Sequence, residues 1–222
     1  MGEIIKLTTK DSATIDAYQA VPAGAPRGAV VVLQEIFGVN HHIRNVTDQF
    51  AGAGYFAIAP ALFDRVAAGV NLGYAQKDIE EGIAIRARTK IEETLADIAA
   101  AVAVASAAGK VGVVGYCWGG TLAYFSAARL AGIAAAVGYY GGGIAANIAH
   151  KFNAPVLLHF GDQDRSIPLS DVEKIRQANP DVPIFVYPAG HGFSCDERAS
   201  FDAESAKLAR ERTLAFFAEH VG

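Results

Sequence analysis

The sequence has few of the features that mark several large classes of protein. It contains two cysteines, Cys117 and Cys195, in 222 residues, which is too few for a disulfide-rich secreted scaffold. Its 19 basic and 23 acidic residues give a net charge of −4, and no basic cluster suits a phosphate backbone. The most apolar window, 99–114, is interrupted by polar residues and is too short to span a bilayer. We therefore expect neither a nucleic-acid partner nor a membrane partner.

Targeting and cofactor signals are also missing. The N-terminal stretch 1–18 alternates polar and apolar residues and lacks the apolar core of a signal peptide, which favours a cytoplasmic protein. No glycine-rich dinucleotide fingerprint and no Walker sequence occurs, so we predict no cofactor. With 52% hydrophobic residues the chain can bury a large core, and we expect one domain over residues 1–222, as a monomer or homodimer.

Predicted strands and helices alternate along the chain. Runs at 4–8 and 14–18 read as an antiparallel edge hairpin, and β-rich runs follow at 29–33, 55–59, 111–115, 134–139, 154–160 and 184–187. Helical spacing fills most of the intervals, which predicts an α/β fold with a mostly parallel, doubly wound sheet and helices on both faces. Ligands bind such sheets beyond the carboxyl ends of the strands. Residues 61–88 show no clear strand and are predicted to form a lid or a substrate-facing excursion.

Local signals place several helix ends. Asn40 is a candidate N-cap for a helix that ends at Gly52 or Gly54. Two capping boxes, at 89–92 and 170–173, predict the starts of two further helices. A long closing helix is predicted over about 203–219.

The stretch 111–120, VGVVGYCWGG, predicts a buried strand, a sharp turn and a helix, with Cys117 at the apex. Gly115 and Gly119 flank this cysteine at the spacing of the nucleophile elbow, G-x-S-x-G, where the flanks leave no room for a Cβ. A thiolate is favoured there by the positive end of the following helix. A free cysteine is more often a small buried hydrophobe, so the motif needs partners elsewhere in the chain.

Two polar residues after later strands supply such partners. Asp164 lies in GDQDRSIP and His191 in PAGHGF, so the chain order is nucleophile, acid, histidine, as in α/β-hydrolases. His191 would take the thiol proton, and Asp164 would fix the imidazole tautomer. Asp162 is the alternative acid. We prefer Asp164 because its spacing places it in the loop ahead of Pro168.

Glu35 follows the strand 29–33 in QEIFG and is expected to lie near Cys117, where a carboxylate would hydrogen-bond the thiol or assist its deprotonation. The alternative without a functional role is that Glu35 is a solvated carboxylate at a strand end. If the strand order is that of the hydrolases, the backbone N–H groups of Ile36 and Trp118 form the oxyanion hole.

Five motifs together resemble those of the dienelactone hydrolases (carboxymethylenebutenolidases), a branch of the α/β-hydrolases with a cysteine nucleophile. They are QEIFGVN, GYCWGG, GYYGGG, GDQDRSIP and AGHGF, and they extend over nearly the whole chain. The resemblance implies an α/β-hydrolase fold with Cys117 as nucleophile, Asp164 and His191 completing the triad, and Glu35 activating the thiol. The implied reaction opens a dienelactone through an acyl-enzyme to give maleylacetate.

The sequence departs from that family at the residues that bind the substrate carboxylate. The resemblance implies two arginines, but the position four residues after the catalytic histidine is Cys195, and the other aligns with Ile79. Arg86, Arg88 or Arg198 would have to substitute. The family's catalytic residues therefore transfer to this chain, while dienelactone specificity does not.

Aromatic residues at the strand ends are candidates for the substrate pocket, foremost Phe37 and Tyr140. The adjacent His41 and His42 point different ways at a helix start, with no carboxylate or cysteine at ligand spacing. We therefore expect solvated residues there and no metal site. His150 and His159 likewise have no potential metal ligand at a suitable spacing, and no site is predicted there.

Two functions are compatible with these residues. The first is a thiol hydrolase of small esters or lactones that acts through an acyl-enzyme. The second is a hydrolase-shaped protein that binds a ligand or senses redox state, in which Cys117 is not turned over. The joint presence of Glu35, Asp164 and His191 favours the first, because a non-catalytic protein has no physical need for them.

Overall fold

One eight-stranded sheet runs through the computed structural model, which describes residues 2–149 and 151–222. The strands are β1 (Glu3–Thr8), β2 (Thr14–Ala20), β3 (Ala29–Leu33), β4 (Phe56–Pro60), β5 (Val111–Tyr116), β6 (Ile133–Tyr139), β7 (Val156–Gly161) and β8 (Ile184–Tyr187). The helices are α1 (His41–Gly52), α2 (Gln76–Arg86), α3 (Ile91–Ala105), α4 (Trp118–Arg129), α5 (Leu169–Ala178) and α6 (Ala203–His220), with a short 3₁₀ turn at Ser106–Ala108.

The sheet has the order β1-β2-β4-β3-β5-β6-β7-β8. The pairs β1–β2 and β2–β4 are antiparallel, and all the other strand pairs are parallel. The predicted edge hairpin and the mostly parallel sheet are thus confirmed. Because β3, β5, β7 and β8 run in the same direction, the turns that follow them meet at one edge of the sheet.

Helices cover both faces of the sheet, and two glycines of β5 show this directly. A Cβ on Gly112 would lie 2.8 Å from the Phe217 ring of α6, whereas one on Gly115 would lie 1.9 Å from the Gly119 carbonyl oxygen of α4. Successive residues of a strand point to opposite faces, so positions 112 and 115 face opposite ways. Helix α1 lies beside α6, with the Phe50 and Phe217 ring centroids 6.0 Å apart. The predicted doubly wound arrangement is confirmed.

Of the three capping signals identified in the sequence, one agrees with the structure, and the closing helix α6 starts at Ala203 as predicted. The side chain of Asn40 accepts a hydrogen bond from the Ile43 N–H at 3.2 Å, so its predicted role as N-cap is confirmed. Both predicted capping boxes are wrong. The Thr89 hydroxyl instead donates to the Arg86 carbonyl at the end of α2, and α3 starts one residue later. Helix α5 starts at Leu169, after Pro168, which places Ser170 inside the helix where its side chain caps nothing.

Residues 61–88 contain no named strand, as expected, but they include α2, which the sequence did not reveal. Only Gly82 and Ile85 of this helix are buried, so its apolar pattern is too weak to indicate a helix. A Cβ on Gly82 would lie 2.2 Å from the carbonyl oxygen of Ile36. Helix α2 therefore packs directly on the turn that follows β3. Among the described residues, no helix is long and apolar enough to cross a membrane.

The first turn of α4 approaches the end of β3 as closely as a backbone allows. A Cβ on Gly119 would lie 2.4 Å from the Leu33 carbonyl oxygen and 2.6 Å from that of Gln34. These are backbone atoms at the end of β3 and in the turn after it, and they cannot move aside as a flexible side chain can. The predicted absence of room at the flanks of Cys117 is confirmed.

The substitution Gly119→Ala is therefore expected to destabilise the protein. Overpacking of this kind costs about 1–3 kcal/mol, which lowers the melting temperature of a chain of this size by roughly 2–12 °C. The matched control is Gly52→Ala at the end of α1, where a Cβ meets nothing within 4 Å. Calorimetric melting curves check this, and equal melting temperatures for the two variants would contradict it.

Candidate active site

Cys117 occupies a strained turn between β5 and α4. Its φ of 55° and ψ of −114° lie outside the regions that ordinary side chains favour, as the elbow interpretation predicts. Its N–H donates to the Tyr139 carbonyl at 3.0 Å, and its own carbonyl accepts from the Gly120 N–H at 3.0 Å. These bonds hold the turn while the thiol remains partly exposed above the carboxyl edge of the sheet.

The structure brings the thiol, an imidazole and a carboxylate into one chain of contacts. His191 Nε2 lies 3.1 Å from Cys117 Sγ, and His191 Nδ1 lies 2.7 Å from Asp164 Oδ2. Asp164 is buried, and its Oδ1 accepts from the N–H groups of Ser166 at 2.8 Å and Ile167 at 3.2 Å. Asp162, the alternative acid, is exposed. The geometry thus favours Asp164 over Asp162 as the partner of the imidazole.

The neighbours of His191 control both its charge and its orientation. Burial lowers the pKa of the imidazole, but its hydrogen bonds to Asp164 and Cys117 outweigh burial and raise the pKa to about 10. The Ser200 hydroxyl donates to the His191 carbonyl at 2.6 Å, and the Tyr140 ring packs on the imidazole with centroids 5.1 Å apart. The ring is therefore fixed with one nitrogen toward the carboxylate and the other toward the thiol.

The two aromatic candidates for substrate binding are buried rather than exposed in a pocket. Tyr140 is fully buried, has a positive φ of 39°, and shares a 2.7 Å hydrogen bond between its hydroxyl and Ser194 Oγ. Phe37 is 2% exposed and packs edge-on against Tyr74, with centroids 4.7 Å apart. Tyr140 packs on the His191 ring, and Phe37 packs on Tyr74, which lines the cleft. The expectation that Phe37 and Tyr140 bind the substrate stays a prediction.

Glu35 pairs with a cation and not with the thiol. Its Oε1 accepts from Arg198 Nη1 at 3.0 Å, and its side chain is 1% exposed. The hydrogen-bond partner of Cys117 Sγ is His191, so the expected hydrogen bond between Glu35 and the thiol does not form. Burial lowers the pKa of the Arg198 guanidinium, but the Glu35 carboxylate together with Tyr140, Cys117 and Cys195 outweighs burial, so the pKa is raised overall. Glu35 is thus a buried carboxylate, and its interpretation as a solvated strand end is wrong.

An open cleft of about 730 Å³ reaches His191 from the surface. Two arginines, Arg165 and Arg198, line it together with one acidic residue, Glu197. Arg86 and Arg88 lie exposed at the end of α2 and do not line this cleft. Of the three arginines considered as replacements for the missing pair, only Arg198 contacts both the cleft and Glu35. The aligned position Ile79 is a half-buried residue of α2.

The turn after β3 and the first turn of α4 lie against each other, as the Gly119 contacts with Leu33 and Gln34 require. Trp118 is the first residue of α4, so its N–H has no acceptor within the helix. Ile36 lies in the neighbouring turn under α2. The assignment of these two N–H groups to an oxyanion hole stays a prediction.

The surroundings of two histidines, His159 and His42, differ from those expected from the sequence. His159 is fully buried, with Nδ1 2.8 Å from the Tyr187 hydroxyl and Nε2 3.1 Å from Thr213 Oγ1, and burial lowers its pKa to about 3. His41 is exposed, as expected, and contacts Glu197, but His42 is 2% exposed. The expectation of a solvated His42 without a carboxylate or thiol nearby is therefore wrong. His150 lies outside the described residues.

Tyr74 was not recognised from the sequence because it lies in the segment 61–88. It lines the cleft, and its hydroxyl accepts from Asn40 Nδ2 at 3.0 Å. Burial raises its pKa, and the charge of Glu35 adds to this effect. No periodic signal marks such a residue, because a loop side chain is positioned by tertiary contacts alone.

A mostly parallel sheet with an antiparallel second strand, a strand–turn–helix elbow, and catalytic-type residues in the order Cys, Asp, His define the chain as an α/β-hydrolase. The model of the dienelactone hydrolase family matches residues 15–221. The chain belongs to the dienelactone hydrolase family, and it is therefore an ester or lactone hydrolase.

Named relatives and a solved structure agree with this assignment. A "Putative carboxymethylenebutenolidase" from Synechocystis sp. is 38% identical over 91% of this chain and 91% of its own length. The carboxymethylenebutenolidase from Pseudomonas putida is 35% identical over 98% of this chain and 97% of its own. The crystal structure of a "Putative Dienelactone Hydrolase" from Klebsiella pneumoniae is 34% identical and superposes with a TM-score of 0.84, covering 98% of this chain and all of that one.

The substitution Asp164→Asn is expected to lower the pKa of His191 from about 10, because a partner that favours the charged imidazole is lost. Asp162→Asn should leave it unchanged. NMR titration of the imidazole in both variants tests this. Since the folded-state pKa exceeds the ordinary value of 6.5, the associated stabilisation is full below pH 6.5 and is lost as the pH rises through about 10. An unchanged titration in Asp164→Asn would show that the carboxylate does not govern the ring.

Proposed function

We propose that this protein hydrolyses small carboxylic esters or lactones through an acyl-enzyme on Cys117, with His191 and Asp164 completing the triad. One observation carries the proposal. The Cys117 thiol lies 3.1 Å from His191 Nε2, and His191 Nδ1 lies 2.7 Å from the Asp164 carboxylate, so a nucleophile, a base and an orienting group are in hydrogen-bond contact.

The first half of the proposed reaction forms a thioester. Cys117 Sγ attacks the carbonyl carbon while the thiol proton resides on His191 Nε2. The negative charge on the carbonyl oxygen is stabilised by the N–H groups of Ile36 and Trp118. The tetrahedral intermediate collapses by breaking the C–O bond, and His191 returns its proton to the leaving alkoxide. In a lactone the leaving alcohol stays tethered to the acyl group.

The second half releases the acid. His191 Nε2 takes a proton from a water molecule, whose oxygen attacks the thioester carbon. The C–S bond then breaks, the sulfur recovers the proton from His191, and the carboxylic acid departs. Asp164 holds the imidazole tautomer and stabilises the imidazolium formed in both halves.

The charges around the cleft favour a substrate that carries its own carboxylate. Arg198 lies between the buried Glu35 and the cleft, and Arg165 lines the same cleft, so an anionic group entering there meets two guanidinium groups. The relatives' name, carboxymethylenebutenolidase, refers to a substrate that is a lactone with a carboxyl-bearing side group. We therefore include small anionic esters and lactones in the proposed substrate class, with Arg198 as the residue that binds the anion.

The substitution Cys117→Ala is expected to abolish hydrolysis of p-nitrophenyl acetate, because no thioester can form. Removal of a triad nucleophile lowers turnover by several orders of magnitude, to about 10⁶-fold in comparable enzymes. The matched thiol control is Cys195→Ser, which should retain most activity. Rapid quenching followed by peptide mass spectrometry should find the acyl group on Cys117. Activity of Cys117→Ala within a few-fold of the parent would falsify the assignment, and a folded but inactive parent would favour the ligand-binding or redox-sensing alternative.

The substitution Arg198→Gln is expected to raise KM for an aryl ester that bears a carboxylate about tenfold or more, since a charge-assisted hydrogen bond is worth about 1.5–3 kcal/mol. The neutral analogue should show a much smaller change in KM. Arg86→Gln is the matched control, because Arg86 is exposed and lies outside the cleft. Steady-state kinetics on both esters decides, and an equal loss on the two substrates would mean that Arg198 does not recognise the anion.

A further inference from the structure

A second group of reactive side chains is buried together in the described structure and is not used by the proposed reaction as a group. Glu35 comes from the turn after β3, His42 from the first turn of α1, and Cys195 from the loop between β8 and α6. One carboxylate oxygen, one imidazole nitrogen and the Cys195 sulfur all lie within 4.8 Å of one another. The three residues are buried, with exposed fractions of 1%, 2% and 0%.

Several polar atoms of this group lack hydrogen-bond partners. Glu35 Oε2 and both ring nitrogens of His42 are buried without one, although Glu35 Oε1 is bonded to Arg198. An unsatisfied buried polar group costs about 1–3 kcal/mol, and native proteins rarely keep several together. These atoms therefore indicate that a ligand which satisfies them belongs at this position.

We propose that Glu35, His42 and Cys195 form a binding site for a divalent cation of the Zn²⁺ type. Thiolate, imidazole and carboxylate are the three ligand types that zinc takes in proteins, whereas Mg²⁺ and Ca²⁺ take oxygen ligands. Ligand atoms of a tetrahedral zinc site lie about 3.4 Å apart. Since the three ligand atoms lie within 4.8 Å of one another, a small inward movement of the side chains suffices to reach this spacing, and a water or another small ligand completes the fourth position.

Asp196 lies close enough to His42 to support it once a cation is bound, although the two side chains do not hydrogen-bond here. A metal-bound imidazole commonly donates its other N–H to a carboxylate. Asp196 Oδ1 lies 3.4 Å from His42 Nδ1, which leaves Nε2 for the cation. His42 and Asp196 also line a cavity of about 330 Å³ between α1 and α6, which offers a route from solvent.

The charges around the proposed site both favour and oppose cation binding. Because the thiolate is the form that binds a metal, cation binding releases the Cys195 thiol proton to solvent as the metal–sulfur bond forms. Lys207 and Arg210 line the same cavity, and Arg198 contacts Glu35, so three cationic side chains oppose the metal. The carboxylate and the thiolate bind the cation directly and offset this repulsion.

Cd²⁺ titration of the Cys117→Ala protein tests the site, because this variant removes the other thiol, which lies 3.1 Å from His191 Nε2 and is itself a potential metal ligand. Cd²⁺ reports thiolate coordination by an ultraviolet charge-transfer band. We expect one Cd²⁺ per chain with this band, displaced by Zn²⁺. Absence of the band in folded Cys117→Ala protein would overturn the proposal.

Further substitutions in the same background identify the ligands. Adding Cys195→Ser should remove the band, and adding His42→Gln should weaken Cd²⁺ affinity about tenfold or more. Adding His41→Gln is the matched control, because His41 is the exposed neighbour on the same helix turn. A band that survives Cys195→Ser, or equal weakening by the two histidine substitutions, would refute the ligand assignment.

X-ray absorption of Zn²⁺-loaded Cys117→Ala protein gives a readout that does not depend on the folding of the added variants. The expected spectrum has one sulfur at about 2.3 Å together with nitrogen and oxygen ligands at about 2.0–2.2 Å. A first shell without sulfur would exclude Cys195 and overturn the proposal. Neither readout depends on ester hydrolysis, so the outcome is separate from that of the acyl-enzyme test.

Discussion

The close contact between the first turn of α4 and the end of β3 is the constraint on which the site depends. Gly119 touches the Leu33 and Gln34 carbonyls, and Gly115 touches Gly119 on the other side. Cys117 is held between these contacts at a φ of 55°, a conformation that costs of order 1–3 kcal/mol and persists only where its surroundings enforce it. The same contact brings the turn that carries Glu35 next to the turn that carries Cys117. The close backbone contact that only glycine allows at positions 115 and 119 thus positions both the Cys117 thiol and the turn that carries the Glu35 carboxylate.

Buried charge pairs organise the remaining loops around that turn. The Asp164–His191 and Glu35–Arg198 contacts join the loops after β7, β8 and β3, and each carboxylate is almost fully buried. Removing one partner of such a pair costs about 3–5 kcal/mol, because it leaves a charge unpaired in the interior. The loops at the carboxyl edge of the sheet are therefore fixed by the groups that surround the cleft. The geometry of the site and the folding of these loops depend on the same interactions.

Sequence reasoning succeeded where a local pattern determines the structure. The β-branched runs predicted the parallel strands, Asn40 predicted a helix start, and the spacing before Pro168 favoured Asp164 over Asp162. It failed where burial of a polar side chain depends on distant partners. His159 meets Tyr187 and Thr213, which lie in β8 and α6, and no spacing around His159 reveals them. Helix α2 was missed for a related reason, because it packs through only two residues and so carries little periodicity.

The turns of the loop after β8 explain how Arg198 comes close to Glu35, although the position at which the resemblance implies an arginine is Cys195. Three successive turn hydrogen bonds, from the N–H of Cys195 to Gly192, of Arg198 to Cys195 and of Phe201 to Arg198, have lengths of 3.0, 3.1 and 3.0 Å. Residues three apart in such turns project to the same side. Cys195 and Arg198 consequently both reach Glu35, one with a thiol and the other with a guanidinium. A linear alignment compares only the position of Cys195 and finds the arginine missing, whereas the turns supply a guanidinium from one turn later. The same geometry leaves the Cys195 sulfur within 4.8 Å of ligand atoms of Glu35 and His42, next to an arginine that pairs with Glu35.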